Sequence, residues 1–252
     1  LYEQKLNSRG SDIGGVERTG TFDVFYVSSK RRSSVKRRSW KAYQKPAFNI
    51  YSGKRGPKFQ IVVPKKFDKK LNRSYDYDQM CFSKDGKTVF FTRRAIVPLR
   101  WKLTLLNELP KWEICSADID AQGLWTNIKP LPICSKEFSV GHPCLNPDNT
   151  KMYFVSDRNV GYGETDLYEV SLIKDSTGYS TGTPINLGRS LNTEGQELYP
   201  WMDEKGNLFF ATDGRQGFGG LDIFVAFPDD SLGFKTVMNL GKPINSNQDD
   251  FG

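Results

Sequence analysis

The chain has 252 residues, which is enough for one large domain, and 26% of them are charged. No apolar run approaches the roughly 18 residues of a membrane-spanning helix, so the sequence predicts no transmembrane segment. The net charge is +7, but no base-stacking module accompanies the basic residues, which argues against a nucleic-acid partner.

A basic stretch dominates the first part of the chain. Between Lys30 and Arg73 there are 16 Lys or Arg residues and one acid, Asp68, whereas the remainder of the chain is net negative. Much of this stretch, residues 28–58, is predicted to be an insertion, because later parts of the chain lack it. It is either a docking surface for an acidic partner, an anionic lipid headgroup or an anionic polymer, or a solvated loop. The candidate partner-binding residues are Lys30, Arg31, Arg32, Lys36, Arg37, Arg38, Lys54 and Arg55.

The next segment, residues 71–132, begins with two short runs typical of paired strands and then departs from that pattern. The departure is an apolar insertion at residues 95–111. Connecting loops are usually polar, so this one either packs on its own sheet or contacts a partner. In the second case Trp101 would be the anchor, because large aromatic residues dominate interface energetics. The candidate contact residues are Trp101, Leu103, Leu105 and Leu106.

Residues 133–190 and 191–243 repeat this segment. Asp222 aligns with Asp166, 56 residues earlier, and Asp166 aligns with Glu113, 53 residues earlier. Each period contains four short strand-like runs separated by Gly, Asp, Asn or Pro. Repeats of this kind, about 53–57 residues long, predict an all-β propeller of four-stranded antiparallel blades.

One propeller domain is therefore expected over residues 1–252, as a fragment of a larger multidomain chain. The expected blades are 1–70, which would be partial, then 71–132, 133–190 and 191–243. Residues 244–252 match the opening of a further blade. Phe22 to Val27 resembles the third strand of the first blade.

Several polar residues recur at fixed places in the period, and a residue that recurs in every blade is more typical of structure than of catalysis. We interpret the aspartates as turn and strand caps that accept backbone N–H groups, and the arginines as hydrogen-bond donors within or between blades. These structural repeat positions are Asp157, Arg158, Asp166, Asp213, Arg215 and Asp222.

The sequence offers no catalytic constellation. His142 is the only histidine, and it precedes Pro143 at a strand start. The glycine-rich loops have no following helix, so they do not predict a phosphate site. The four cysteines lack metal-site spacing and are either buried thiols or one or two disulfides. We therefore predict no enzyme, no metal and no cofactor.

The repeats resemble the WD40-like repeats of TolB-type periplasmic propellers, and most closely those of multidomain outer-membrane proteins with an OmpA-like domain, such as PorE-type components of the type IX secretion system. The resemblance covers residues 71–252. It is carried by Ser156-Asp157-Arg158, Gly161-Tyr162-Gly163, Thr165 to Tyr168, Asn186-Leu187-Gly188, Thr212 to Arg215, Gly219 to Phe224 and Asn239-Leu240-Gly241.

This resemblance implies a non-enzymatic protein-interaction scaffold in the periplasm, associated with the outer membrane. Its partners would be secretion-system or other cell-envelope proteins, with peptidoglycan bound through a neighbouring domain. The alternative is a propeller that itself binds glycan or peptidoglycan through rim aromatics such as Tyr162 and Phe218.

Overall fold

The chain forms a four-bladed β-propeller. The computed structural model describes residues 12–29, 48–57, 61–95, 110–175, 178–229 and 233–251. Each blade is an antiparallel sheet in which strands pair in chain order. The predicted fold class is confirmed. The structure has four complete blades, whereas the sequence predicted three complete blades and a partial first one.

The strand bounds repeat regularly. The first blade contains β1 (Asp12–Glu17), β2 (Asp23–Ser28), β3 (Asn49–Arg55) and β4 (Ile61–Lys66). A short helix α1 (Leu71–Ser74) leads into the second blade, with β5 (Tyr75–Phe82), β6 (Thr88–Ala95), β7 (Glu113–Ile119) and β8 (Trp125–Pro130). The third blade contains β9 (Val140–Leu145), β10 (Lys151–Ser156) and β11 (Asp166–Asp175), with β12 (Gly178–Thr181) and β13 (Ile185–Asn186) both paired to β11. The fourth contains β14 (Glu197–Met202), β15 (Leu208–Thr212), β16 (Asp222–Asp229) and β17 (Gly233–Asn239).

The first blade corrects two expectations. It is a complete four-stranded sheet, and residues 22–27 contribute to its second strand, β2, not to its third. The predicted basic insertion is also shorter than 28–58, because residues 49–55 form β3 and pair with β2 along its whole length. The weak repeat signal in this blade explains both errors, since its strands could not be aligned with their siblings.

Tight turns fix the strand register in all blades. The turns between first and second strands have φ values of 63° at Gly86, 58° at Asn149 and 82° at Gly206. Glycine has no Cβ to clash in this left-handed region, and asparagine tolerates it. Each belongs to the Gly, Asp, Asn or Pro positions that separate the strand-like runs of the sequence.

Hydrophobic clusters join each blade to the next. The cluster between the first two blades contains Phe25, Phe91 and Trp125, and the following two contain Phe154 and Phe210. Rings pack at offset or tilted angles there, as between Phe91 and Trp125 at 4.9 Å and 34°, a geometry that the ring quadrupoles favour. Each sheet therefore buries its faces against its neighbours rather than against a separate layer.

The antiparallel strand order divides the connections between two faces of the propeller. Turns from the first to the second strand and from the third to the fourth lie on one side, here called the turn face. Connections from the second to the third strand, and the linkers between blades, lie on the other side, here called the loop face. The strand ends that flank both insertions lie at the loop face, because each insertion connects a second to a third strand.

Candidate functional site

The centre of the propeller is built from irregular first strands. Neighbouring first strands contact one another, and each carries a β-bulge. In the third and fourth blades the bulge places His142 and Tyr199 at φ values of 54° and 53°. A positive φ is uncommon for residues other than glycine, and bulges with such residues re-aim side chains. Pro143 and Pro200 fit here because a bulged residue needs no ladder N–H.

The bulges bring side chains from several repeats together in what we call the axial cluster: Asp78, Gln79, His142, Tyr199 and Phe251. The His142 ring stacks on Tyr199 at 4.2 Å, and Phe251 stacks on Tyr199 at 4.9 Å, both at 14°. Gln79 donates to the carbonyl of Pro200 at 2.7 Å, which links the second blade to the fourth. Burial raises the pKa of Tyr199 well above its usual range.

Both ring nitrogens of His142 are engaged. The backbone N–H of Tyr199 donates to Nδ1 at 3.2 Å, and Nε2 faces the Asp78 carboxylate at 3.4 Å. The imidazole therefore connects the second, third and fourth blades and leaves no nitrogen free for a metal ion. No group of three or more His, Cys, Asp or Glu side chains in the described ranges has the arrangement of a metal site.

On the loop face, buried carboxylates organise the glycine-rich loops. Asp166 accepts hydrogen bonds from the backbone N–H groups of Tyr162 at 2.6 Å and Gly163 at 3.2 Å, and from the Asn186 side chain at 2.8 Å. Asp222 accepts the corresponding bonds from Phe218 and Gly219 at 2.6 and 3.2 Å. Each loop is thus folded around the first residue of the third strand.

A set of linker side chains that sequence analysis missed holds each blade to the next. Asn192 accepts the N–H of Leu167 at 2.8 Å and donates to its C=O at 3.0 Å. Equivalent pairs join Asn72 to Ile50 and Asn245 to Ile223. We call this contact the asparagine clamp. Its signal was the recurring Leu-Asn or Ile-Asn pair at the end of each linker.

The second blade replaces the asparagine with a cysteine. Cys134 donates through Sγ to the C=O of Ile114 at 3.4 Å, in the place where the other linkers have the clamp. Cys81, Cys115, Cys134 and Cys144 are all free thiols. Burial raises the pKa of each, to about 11 for Cys134 and about 12 for Cys144.

Exposed aromatic rings on the loop face pair with cations in consecutive blades. Arg189 lies over the Tyr162 ring at 4.9 Å, and Lys242 lies over Phe218 at 5.6 Å. The two rings remain 42% and 48% exposed. The pairs are related by the repeat, since each combines a glycine-rich loop with the turn after Asn-Leu-Gly.

The ends of the two insertions meet at one carboxylate. Asp76 accepts the N–H of Phe48, at the end of the basic insertion, at 2.6 Å. Its other oxygen accepts Arg94 Nη2, next to the start of the apolar insertion, at 3.2 Å. Arg94 also stacks over Trp112 at 4.4 Å, at the far end of the same insertion. Burial raises the pKa of Asp76, although its bonds to Phe48 and Arg94 act in the opposite direction.

The predicted partner-binding residues divide into two groups. Lys54 and Arg55 lie at the end of β3 nearest the turn face. Lys54 forms an ion pair with Asp23, and Arg55 Nη1 lies 3.1 Å from a carboxylate oxygen of Glu17. They are about 20 Å along the strand from the loop face, since a strand rises about 3.3 Å per residue. The others lie outside the described residues: Lys30, Arg31, Arg32, Lys36, Arg37, Arg38, Trp101, Leu103, Leu105 and Leu106.

One buried carboxylate should give the fold a distinctive pH dependence. Burial raises the pKa of Glu197 above its usual 4.5, although bonds from Thr193 and Thr212 oppose the shift. The folded state then binds this proton more tightly than the unfolded chain, so Glu197 lowers stability as pH rises from about 4.5 through its folded pKa. We expect the stability advantage of the parent over Glu197→Gln to shrink across this window in urea unfolding.

Asp203 is the control for this prediction. Desolvation acts in the opposite direction, but hydrogen bonds from Asn207 and Lys205 hold the pKa of Asp203 below its usual 3.8. Its stabilising effect is present above that value and is lost as pH falls, so the advantage over Asp203→Asn should grow with pH. A Glu197→Gln difference that is constant with pH would contradict the assignment.

No protein-family model matches the sequence, and the comparison with curated proteins finds no match. Among solved structures, the chain is similar to a puromycin-hydrolysing peptidase of Mycobacterium tuberculosis at 14% identity and a TM-score of 0.52, over 94% of this chain and 32% of the peptidase. A puromycin hydrolase gives 14% identity and a TM-score of 0.50, over 94% and 33% of the two chains. A putative TolB from Agrobacterium tumefaciens gives 17% identity and a TM-score of 0.46, over 90% and 65%.

These neighbours contradict the prediction that the chain is not an enzyme. A propeller of this shape forms part of peptidases, and this chain spans about a third of their length. A propeller sequence without a catalytic constellation therefore gives no ground for excluding an enzymatic protein. The likeness itself shows the fold. No helix within the described ranges has the length and apolar character needed to cross a membrane.

Proposed function

We propose that this chain is a protein-interaction module of a periplasmic cell-envelope assembly, with the loop face as its docking surface. The observation that carries the proposal is the shared contact at Asp76, because it makes the ends of a strongly basic and a strongly apolar segment neighbours. A surface of this composition suits a protein partner that offers both acidic groups and an apolar patch.

The residues proposed to contact the partner are those predicted from the sequence on both insertions, with Trp101 as the apolar anchor and the run from Lys30 to Arg38 as the acidic-group contact. Tyr162 and Phe218 extend the same surface around the ring. The resemblance of the repeats to TolB-type propellers supports a periplasmic setting at the outer membrane and a role in a secretion system such as type IX.

Replacing each insertion with the short glycine-rich loop of a sibling blade tests the proposal. Both variants should fold, because residues 157–165 and 213–221 already connect equivalent strands and loop length has a small effect on stability. Each replacement should raise the Kd for the partner at least tenfold. Loss of the basic insertion should also remove most of the salt dependence of binding, whereas Trp101→Ala should act mainly on the off-rate.

The partner is first identified by cross-linking the intact parent protein and mapping the attachment sites. Cross-links should fall on loop-face lysines such as Lys70, Lys136 and Lys242, and not on the turn-face residues Lys84 and Lys205, all of which are exposed. Leu124→Ser, on the turn face, is the matched control and should leave Kd unchanged. If both replacement variants still bind every partner, the insertions are not the docking surface. If the propeller binds peptidoglycan and no protein partner, the glycan alternative is favoured.

A further inference from the structure

Arg158 follows β10 on the loop face and pairs with no carboxylate of the described residues. Its guanidinium lies over Phe138 at 4.6 Å, over Tyr168 at 4.8 Å and near Phe154 at 5.8 Å. Its Nε makes a long hydrogen bond to the Ser156 hydroxyl at 3.3 Å. No ion pair to Arg158 exists within the part of the chain that the structure describes.

Arginines close to the end of the second strand in neighbouring blades have acceptors. Arg94 pairs with Asp76 at 3.2 Å. Arg215 donates through Nη2 to the carbonyls of Ser190 at 2.6 Å and Leu191 at 3.2 Å, which leaves Nε without a partner. Arg158 differs because the described residues supply no acceptor for its Nη2.

One donor of Arg158 is shielded. Its Nη2 is out of contact with solvent and has no hydrogen-bond partner among the residues that the structure describes. Desolvation lowers the pKa of Arg158. A buried donor without an acceptor is destabilising, so such a group calls for a specific explanation.

Nearby carboxylates are already used. Asp157 accepts the N–H of Ser139 at 2.5 Å, and Glu113 accepts Arg93 Nε at 2.7 Å. The described fold therefore supplies no free carboxylate for Arg158. Arg158 as a whole is partly exposed although its Nη2 is shielded, so a small shift of its side chain would present the guanidinium to an incoming group.

We propose that Arg158 is a binding site for a carboxylate group, supplied by an acidic side chain of a polypeptide. A carboxylate has two oxygens that match the guanidinium fork, and the aromatic walls keep water away and strengthen the interaction. The test does not depend on the partner proposed above, because a free carboxylate is sufficient for it.

The first test measures acetate binding by calorimetry and by the rise in Tm, with sodium chloride at equal ionic strength as reference. The parent should show a saturable acetate effect. Arg158→Met keeps an apolar stem among the rings but removes the donors, so it should lose the effect, with Kd raised at least tenfold. Arg215→Met should have a lower starting Tm and an unchanged acetate Kd, because its guanidinium serves two backbone carbonyls.

The second test compares a blocked Gly-Glu-Gly peptide with its Gln counterpart. Binding of the Glu peptide alone, lost in Arg158→Met, assigns the site to acidic side chains, whereas an Arg158-dependent effect of acetate only would assign it to free small carboxylates. Arg158→Lys keeps the positive charge but lacks the two-pronged guanidinium, so it should bind acetate at least fivefold more weakly. It replaces Arg158→Met in the test if that variant fails to fold. An acetate effect that is absent from the parent, or equal in parent and variants, overturns the proposal.

Discussion

Replacing Asp166 with alanine should lower the free energy of unfolding by about 2–4 kcal/mol, because three donors lose a buried acceptor at about 1–3 kcal/mol each, partly regained through water. The carboxylate is 1% exposed and holds two backbone N–H groups and the Asn186 amide. Urea unfolding followed by tryptophan fluorescence measures the change. An Asp166→Ala protein that unfolds with the parent would show that the loop is held by other contacts.

Asp222→Ala is the matched comparison. Asp222 holds the same two N–H groups, but its Oδ1 has no partner, so the loss should be about 1 kcal/mol smaller than for Asp166. Asp213 is exposed and accepts one N–H, from Gln196 at 2.7 Å. Replacing it with alanine should lower the free energy of unfolding by about 1 kcal/mol or less. The order Asp166, Asp222, Asp213 is the specific expectation, and a reversed order would contradict it.

Replacing Asn192 with alanine should be similarly severe, at about 2–4 kcal/mol, since it removes an acceptor and two donated bonds from a buried position. Asn192 is 3% exposed and also donates to Asn186 at 2.8 Å. The effect should appear in a thermal or urea melt as a lower midpoint, because the clamp holds the linker between the third and fourth blades to β11 of the third.

Cys134, in the linker after the second blade, allows the clamp to be added instead of removed. A thiol is a weak donor and a weak acceptor, so Cys134→Asn should raise stability by about 0.5–1.5 kcal/mol by restoring two amide hydrogen bonds to Ile114. Cys134→Ala should lower it. If both variants are destabilised to the same extent, the linker of this blade does not admit the clamp.

The sequence predicts the strands and turns well because their causes are local. Gly86, Asn149 and Gly206 mark turns through their own backbone preference, and paired apolar runs between them mark strands. The recurrence of Asp166 and Asp222 likewise points to a structural role, because each caps a loop only four residues away. Where the repeat signal is weak, as around Phe22 to Val27, the sequence predicts a strand but not which strand of the blade it forms.

Contacts between distant repeats could not be predicted in the same way. Gln79 and Pro200 are separated by 121 residues, and nothing local in either segment specifies the other. The pairing of His142 with Asp78 depends on bulges in two strands, and a bulge moves a side chain without changing the apolar pattern. The unsatisfied guanidinium of Arg158 is visible only when its neighbours are in place, since in the sequence it looks the same as Arg215.

The asparagine clamp means that a blade is completed by residues that lie outside its own sheet. Asn192 seals the third blade although it follows the last strand of that blade, and Asn245 does the same for the fourth. Fragments cut at the ends of sheets, for example after Asn186 or Asn239, would therefore expose the third strand and leave its backbone groups unpaired. We expect stable fragments only from cuts made after the clamp asparagine. A fragment for excision or blade shuffling should therefore end after the linker that follows a sheet, and not at the last strand of that sheet.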